Sequence, residues 1–124
     1  MKYRRIYKYE LIDGFVSPTK CLPPMDRKFS KWLFLSRNGW LQIAEGYSWD
    51  GASGPAIDTK DFMIPSLVHD ALYQLIREGL LHPRFRKNAD LTLRALCKQQ
   101  GMNVFRRWYC YLSVRIFGGI YAKL

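Results

Sequence analysis

Three side chains within the stretch VHDALY, His69, Asp70 and Tyr73, form the most chemically capable group of this sequence. On a helix, neighbouring residues differ in direction by roughly 100°, whereas residues four apart share a face. His69 and Tyr73 are therefore expected to point the same way, with Asp70 directed to an adjoining position. Because histidine titrates near neutrality, His69 suits the role of a proton acceptor. The spacing predicts a base beside a carboxylate that is free for a second task.

Asp90 lies 20 residues after Asp70, which is long enough for one helix to end and a second to return beside it. Its carboxylate is then placed to accept a hydrogen bond from one ring nitrogen of His69, so that the other nitrogen can take a proton from water. The same residues also suit an internal hydrogen-bond network that ties two helices together without turnover. The sequence leaves both interpretations open.

A candidate metal site combines Asp50 with Asp70. Asp50 opens the turn DGASG, which can aim backbone carbonyls at a cation, and the Asp70 carboxylate can complete a set of hard oxygen ligands suited to Ca²⁺. Asp58 and Asp61 lie between the two and either contribute to the site or are solvated. Asp50 has an equally good interpretation as an Asx-turn residue ahead of Gly51.

The elements that must position these residues divide the chain into a β-rich part, residues 1–48, and a loop with a helical core, residues 49–124. The apolar runs around Asn38-Gly39 predict a β-hairpin. The segment VSPTKCLPPMDRK, with three prolines, is expected to be irregular. About three helices should follow. Their expected boundaries are a start at Pro65 and Ser66, a second helix from near Asn88 to Gly101, and a third ending at Gly118-Gly119.

This outline is a single domain of 124 residues in the α+β class, an antiparallel hairpin or small sheet followed by helices. A stripe of apolar residues in the third helix is expected to pack on the core. Three cysteines without C-x-x-C spacing are expected to be buried hydrophobes. The stripe consists of Phe105, Trp108, Tyr109, Leu112 and Ile116, and the cysteines are Cys21, Cys97 and Cys110.

The formal net charge of +10 indicates an anionic partner. A phospholipid surface or an acidic protein is favoured, and Arg106, Arg107 and Arg115 are expected to meet it. Nucleic acid is the less favoured choice, because no recognition-helix or RNA-binding motif is present. We expect no secretory signal peptide and no transmembrane segment.

The order DGAS, VHDALY and NADLTL resembles the core of the phospholipase A2 superfamily, especially its small bacterial and fungal members. The resemblance implies a phospholipase A2-like helical core and a calcium-dependent hydrolase. It assigns His69 as the base that activates water, Asp90 as its orienting group, Tyr73 as hydroxyl support, and Asp70 with Asp50 as calcium ligands. The sequence departs from the family at Ala52, where the related loop carries a cysteine.

The segments GYSWDGASGP, VHDALY, RKNAD and YLSVRIFGG also resemble a functionally uncharacterised family of small proteins from tailed bacteriophages and prophages. This second resemblance spans most of the chain. It implies a viral protein located in the host cytoplasm or the phage virion, with phage structural proteins among its partners. Two functions follow as hypotheses: a lipid or ester hydrolase acting on the host membrane, or a non-catalytic virion, assembly or host-factor-binding protein on the same fold.

Overall fold

The computed structural model describes residues 2–5, 9–49 and 60–123. Within these ranges the chain forms seven short strands followed by three α-helices, which confirms the predicted α+β class. The strands are β1 (Tyr3–Arg5), β2 (Tyr9–Leu11), β3 (Phe15–Pro18), β4 (Arg27–Phe29), β5 (Leu33–Leu35), β6 (Trp40–Ile43) and β7 (Ser48–Trp49), and the helices are α1 (Lys60–Arg77), α2 (Arg86–Gln99) and α3 (Val104–Lys123).

The strands make two antiparallel sheets, one with the order β1-β2-β7 and one with the order β3-β6-β5-β4. The predicted hairpin at Asn38-Gly39 is confirmed, since β5 and β6 pair with Leu35 opposite Leu41. Gly39 has a φ of 88°, a conformation that a side chain would strain. Alternate residues of β5 and β6 are buried, so one face of this sheet covers the core.

The proline-rich segment is irregular only in its middle, because Val16 to Pro18 belong to β3 and β4 begins at Arg27. The prediction of an irregular segment was therefore wrong at both ends. Pro18 is compatible with β3 because it is the last residue of a strand at the edge of its sheet, where the missing N–H costs little.

Helix α1 begins at Lys60, so the predicted start at Pro65 and Ser66 was wrong. Ser66 is a buried link between elements: its hydroxyl donates to the Met63 carbonyl at 2.9 Å and accepts from Nε1 of Trp49 in β7 at 3.1 Å. The burial of Phe62 and Met63 anchors the turn ahead of the proline. Tertiary packing thus carries the helix through a residue that weakens it.

The predicted boundaries of the other two helices agree with the structure for α2 but not for α3. Helix α2 begins at Arg86, after a 3-10 helix at Pro83–Phe85, and is followed by Gly101 with a φ of 86°, close to the prediction. Helix α3 passes through Gly118 and Gly119 and ends at Lys123, so the predicted stop was wrong. Gly118 is a close-packing residue, since Tyr73 lies directly against it.

The main core joins the strands to α1 and also takes in Ala89 and Leu96 of α2 and Ala122 of α3. A smaller cluster is formed by Phe62 of α1 with residues of α2, α3 and the turn between them. Cys21 lies in the main core, and the other two cysteines, Cys97 and Cys110, lie in the small cluster, so their predicted burial is confirmed. Burial raises the pKa of Cys21 and of Cys97 to about 12, which makes these thiols unreactive while they stay enclosed. The small cluster consists of Phe62, Leu93, Cys97, Met102 and Cys110.

The apolar stripe of α3 does not pack on the core. Its most exposed members are Phe105, with 86% of its surface accessible, and Ile116, with 71%. The prediction failed because helical spacing identifies an apolar face but not the element that covers it. Among the described residues, no helix combines the length and apolar character needed to cross a bilayer.

Candidate functional site

His69 and Tyr73 lie one turn apart on α1, and their ring centroids are 4.1 Å from each other. Asp90 of α2 meets both side chains through the same oxygen. Its Oδ1 lies 2.7 Å from Nε2 of His69 and accepts a hydrogen bond of 2.6 Å from the Tyr73 hydroxyl. The predicted contact between Asp90 and His69 is therefore confirmed, while their role in catalysis stays a prediction.

The contact depends on how closely α1 and α2 pack. Leu72 and Leu75 on α1 and Ala89 on α2 are fully buried. Ala89 precedes Asp90 and belongs to the same core cluster as these two leucines. The site thus lies inside the main core, with Asp90 fully buried and the His69 side chain only 8% exposed.

The second carboxylate oxygen of Asp90 is held by two arginines that were not predicted as its partners. Arg115 of α3 donates from Nη1 to Oδ2 at 2.7 Å, and Nη1 of Arg86 lies 3.8 Å from the same oxygen. Arg86 also donates to the backbone carbonyl of Val114, which joins α2 to α3. The buried charge of Asp90 is therefore compensated on both oxygens, the condition for an ionised group in a core.

The pKa values in the site follow from burial and these partners. Burial alone would raise the pKa of Asp90, but hydrogen bonds from His69, Tyr73 and Arg115 outweigh it and lower the pKa below its ordinary value. Burial alone would lower the pKa of His69, but the nearby carboxylates of Asp70 and Asp90 outweigh it and raise the pKa. Burial and the hydrogen bond to Asp90 both raise the pKa of Tyr73, so its hydroxyl stays protonated.

The geometry defines the protonation of His69. With Nε2 against the Asp90 carboxylate, the proton of the neutral ring belongs on Nε2 and the lone pair on Nδ1. Nδ1 faces Asp70, whose Oδ1 lies 3.9 Å away, and the Asp70 side chain is 24% exposed. The arrangement can therefore accept a proton at Nδ1 and stabilise the resulting imidazolium through Asp90.

The predicted calcium site is not assembled from the described residues. Asp50 and Asp58 lie outside them, and Asp61 is paired with Arg106 at 3.0 Å. Across residues 2–5, 9–49 and 60–123, no three His, Cys, Asp or Glu side chains form a group that could hold a metal ion. Calcium takes six to eight oxygen ligands, and Asp70 supplies one carboxylate. These residues alone therefore do not fit the ion.

Two of the three arginines expected to meet an anionic surface are directed elsewhere. Arg106 binds Asp61 and Arg115 binds Asp90, so both stabilise the contacts of α3 with α1 and α2.

Of the two arginines that hold Asp90, only Arg86 could have been found from the sequence, because it stands four residues before Asp90 on one helix. The sequence carried no signal for Arg115, whose partner lies on another helix 25 residues away. The exposed His82 caps the 3-10 helix, since its Nδ1 accepts a hydrogen bond from the Arg84 amide.

Comparison with known proteins finds no matching family model, no matching curated protein and no matching solved structure. The two resemblances drawn from the sequence motifs therefore stay predictions.

Proposed function

We propose that the protein is an ester hydrolase acting on phospholipid, with His69 as the general base. The observation that carries this proposal is the shared carboxylate oxygen of Asp90, which lies 2.7 Å from Nε2 of His69 and 2.6 Å from the Tyr73 hydroxyl. These contacts orient the imidazole and direct Nδ1 away from the core carboxylate. An oriented base beside a partly exposed position is what activation of water requires.

The reaction begins with a water molecule that donates a hydrogen bond to Nδ1 of His69. As the water oxygen bonds to the ester carbonyl carbon, its proton moves to Nδ1, and Asp90 stabilises the imidazolium. The acyl–oxygen bond then breaks as the proton passes from Nδ1 to the leaving alkoxide, which departs as an alcohol. The carboxylic acid left behind releases its remaining proton to solvent and becomes a carboxylate. Tyr73 and Arg115 act as positioning residues, because they hold Asp90 and do not reach the reacting atoms.

The sequence resemblances suggest the substrate, the activating ion, the source and the target of the proposed hydrolase. The resemblance to the phospholipase A2 superfamily favours a lipid ester as substrate and Ca²⁺ as an activator. The resemblance to phage proteins favours a bacteriophage source and the host membrane as target. Because the described residues do not form a complete calcium site, the mechanism is limited to the proton transfer through His69.

The test measures fatty-acid release from phosphatidylglycerol vesicles and hydrolysis of a soluble ester, each with and without calcium. We expect turnover by the parent protein and a loss of roughly 100-fold or more in His69→Gln, because Gln keeps the size and a hydrogen bond but cannot act as the base. His82→Gln is the matched control, since His82 is exposed and its ring nitrogen accepts a hydrogen bond from the Arg84 amide. No turnover by the parent protein, or full activity in His69→Gln, contradicts the proposal.

A second candidate function is non-catalytic, as a virion, assembly or host-factor-binding component. The observation that favours it is the way the network joins three helices: His69 and Tyr73 come from α1, Asp90 from α2 and Arg115 from α3. A buried network of hydrogen bonds and ion pairs can serve as a structural brace alone. The His69→Gln variant distinguishes the two candidates. If the network is only a brace, the variant is less stable than the parent protein, and neither protein hydrolyses esters.

A further inference from the structure

Helix α3 exposes an apolar face along much of its length. The face consists of Phe105, Trp108, Tyr109, Leu112, Ile116 and Ile120, each between 45% and 86% exposed. Their spacing of three or four residues places them on one side of the helix. A soluble surface rarely leaves so many large apolar side chains contiguous unless they contact something.

The opposite side of α3 is fixed to the protein. Arg106 binds Asp61 of α1 at 3.0 Å, and Arg115 binds the buried Asp90 of α2 at 2.7 Å. Cys110 is buried between them in the small cluster. Rotating α3 to bury the apolar face would break both ion pairs, so the outward orientation of this face is fixed by the contacts of the helix.

A basic groove runs beside the apolar face, between α2 and α3. It is lined by four cationic side chains together with Leu91, Ala95 and Trp108. Trp108 belongs both to the groove and to the apolar face. The guanidinium carbon of Arg94 lies 4.6 Å from the ring centroids of Trp108 and Tyr111, which holds one of the cations in place. The four cations are Lys20, Arg94, Lys98 and Arg107.

We infer that the apolar face and the basic groove together dock the protein on a membrane surface that contains anionic phospholipid. Apolar side chains of an in-plane helix bury in the boundary between headgroups and acyl chains, while lysines and arginines at its edge attract the lipid phosphates. Trp108 and Tyr109 suit this depth because each has an apolar ring with a polar atom. Docking does not require turnover, and so the inference goes beyond the proposed function.

Charge and side-chain chemistry favour this occupant over two others. A second copy of the chain carries the same net charge of +10, and α3 contains no acidic residue to offset it. Single-stranded nucleic acid matches the cations, but Leu112, Ile116 and Ile120 offer no ring on which a base can stack. An anionic lipid surface accommodates both features.

The experiment measures binding of the purified full chain to vesicles of phosphatidylglycerol and phosphatidylcholine by co-sedimentation. Phe105→Ser with Ile116→Ser changes the two most exposed members of the face, and we expect the vesicle affinity to fall at least tenfold. Lys98→Gln with Arg107→Gln should lower it by roughly tenfold or more at low salt. Urea unfolding of both variants should match the parent protein, because the changed side chains are exposed or lie at the surface of the groove.

Two controls match these variants. Lys28→Gln with Lys31→Gln removes two lysines from a separate groove over the strands, which also contains a tryptophan, and should bind vesicles like the parent protein. His69→Gln should bind vesicles normally, so that docking is measured apart from turnover. Binding without turnover supports docking and contradicts the hydrolase, whereas turnover of a soluble ester without vesicle binding does the reverse.

Other results overturn the inference. Unchanged vesicle binding in the Phe105→Ser, Ile116→Ser variant excludes the apolar face, and equal affinity for pure phosphatidylcholine vesicles excludes the role of the groove. Self-association that is lost in the same variant, without vesicle binding by the parent protein, assigns the face to a second copy. Binding of a single-stranded oligonucleotide through Lys98 and Arg107, again without vesicle binding, assigns the groove to nucleic acid.

Discussion

Gly118 of α3 packs directly on the ring of Tyr73 of α1: a Cβ atom on the glycine would lie 3.1 Å from both Cε2 and Cζ of that ring and would also meet its hydroxyl oxygen. The Tyr73 hydroxyl donates to Asp90, so the absence of a side chain at Gly118 permits the hydrogen bond at the centre of the site. A glycine inside a helix here serves contact between helices and does not end one.

We predict that Gly118→Ala destabilises the protein by about 1–3 kcal/mol, because the added methyl group forces Tyr73 away from Asp90 or separates α3 from α1. Gly119→Ala is the matched control, since its added Cβ would meet only the end of the Arg86 side chain at 3.9 Å. Ala is the better helix former, so Gly119→Ala should stabilise by about 0.5–1 kcal/mol. Urea unfolding of both variants checks the pair, and equal effects of the two changes would contradict the packing argument.

The second prediction concerns the charges around Asp90. Asp90→Asn should cost about 3–5 kcal/mol, because it leaves His69 and Arg115 without the charge that compensates them. Arg115→Gln should cost about 1.5–3 kcal/mol, the range for a hydrogen bond to a charged group. Arg106→Gln provides the comparison, because both Arg106 and its partner Asp61 are partly solvated and their pair should contribute less than about 1 kcal/mol. Free energies of unfolding from urea titration would refute this ordering if Arg106→Gln were the most damaging change.

The third prediction is a pH dependence of stability. The pKa of His69 is raised from its ordinary value of 6.5, so its contribution is complete below that pH and is lost as the pH rises through the folded value. The pKa of Asp90 is lowered from 3.8, so its contribution is complete above that pH and is lost as the pH falls through the folded value. The pair should therefore stabilise the fold most between about pH 4 and pH 6.5. The difference in unfolding free energy between the parent protein and His69→Gln should shrink from about pH 5.5 to pH 9, and a constant difference would speak against the assignment.

The fourth prediction concerns calcium. If Asp70 and Asp50 hold the ion with carbonyls of the intervening loop, millimolar calcium should raise the Tm, because a ligand that binds the native state stabilises it by mass action. Asp70→Asn and Asp50→Asn should each remove the increase. Glu45→Gln, at an exposed position, should keep it. An unchanged Tm in the parent protein would leave the scaffold without a calcium site.

Local sequence signals predicted the parts of the fold that depend on local interactions. The Asn38-Gly39 turn and the end of α2 at Gly101 follow from backbone preferences of single residues. The contact between His69 and Asp90 also follows from spacing, because two helices joined by a short connection pack side by side. These features need no knowledge of the distant parts of the chain.

The features that the sequence did not reveal depend on contacts between distant elements. Arg115 resembles a surface cation until α3 is placed against α2, where it meets Asp90. Gly118 resembles a helix stop until Tyr73 is placed against it. The apolar stripe of α3 has the spacing of a face that packs on a core. Spacing identifies an apolar face but does not show whether the rest of the protein or something outside it covers that face.

The apolar interior is divided into a main core and a small cluster, and each contains at least one buried cysteine. Exposure of the two clusters to solvent can therefore be followed separately. Cys97 and Cys110 lie in the small cluster that attaches α3, while Cys21 lies in the main core. Their thiols are shielded in the closed state, so alkylation of each occurs only when its own surroundings open. Cysteine modification followed over time therefore distinguishes opening of the small cluster from opening of the main core, without cysteines being introduced by mutation.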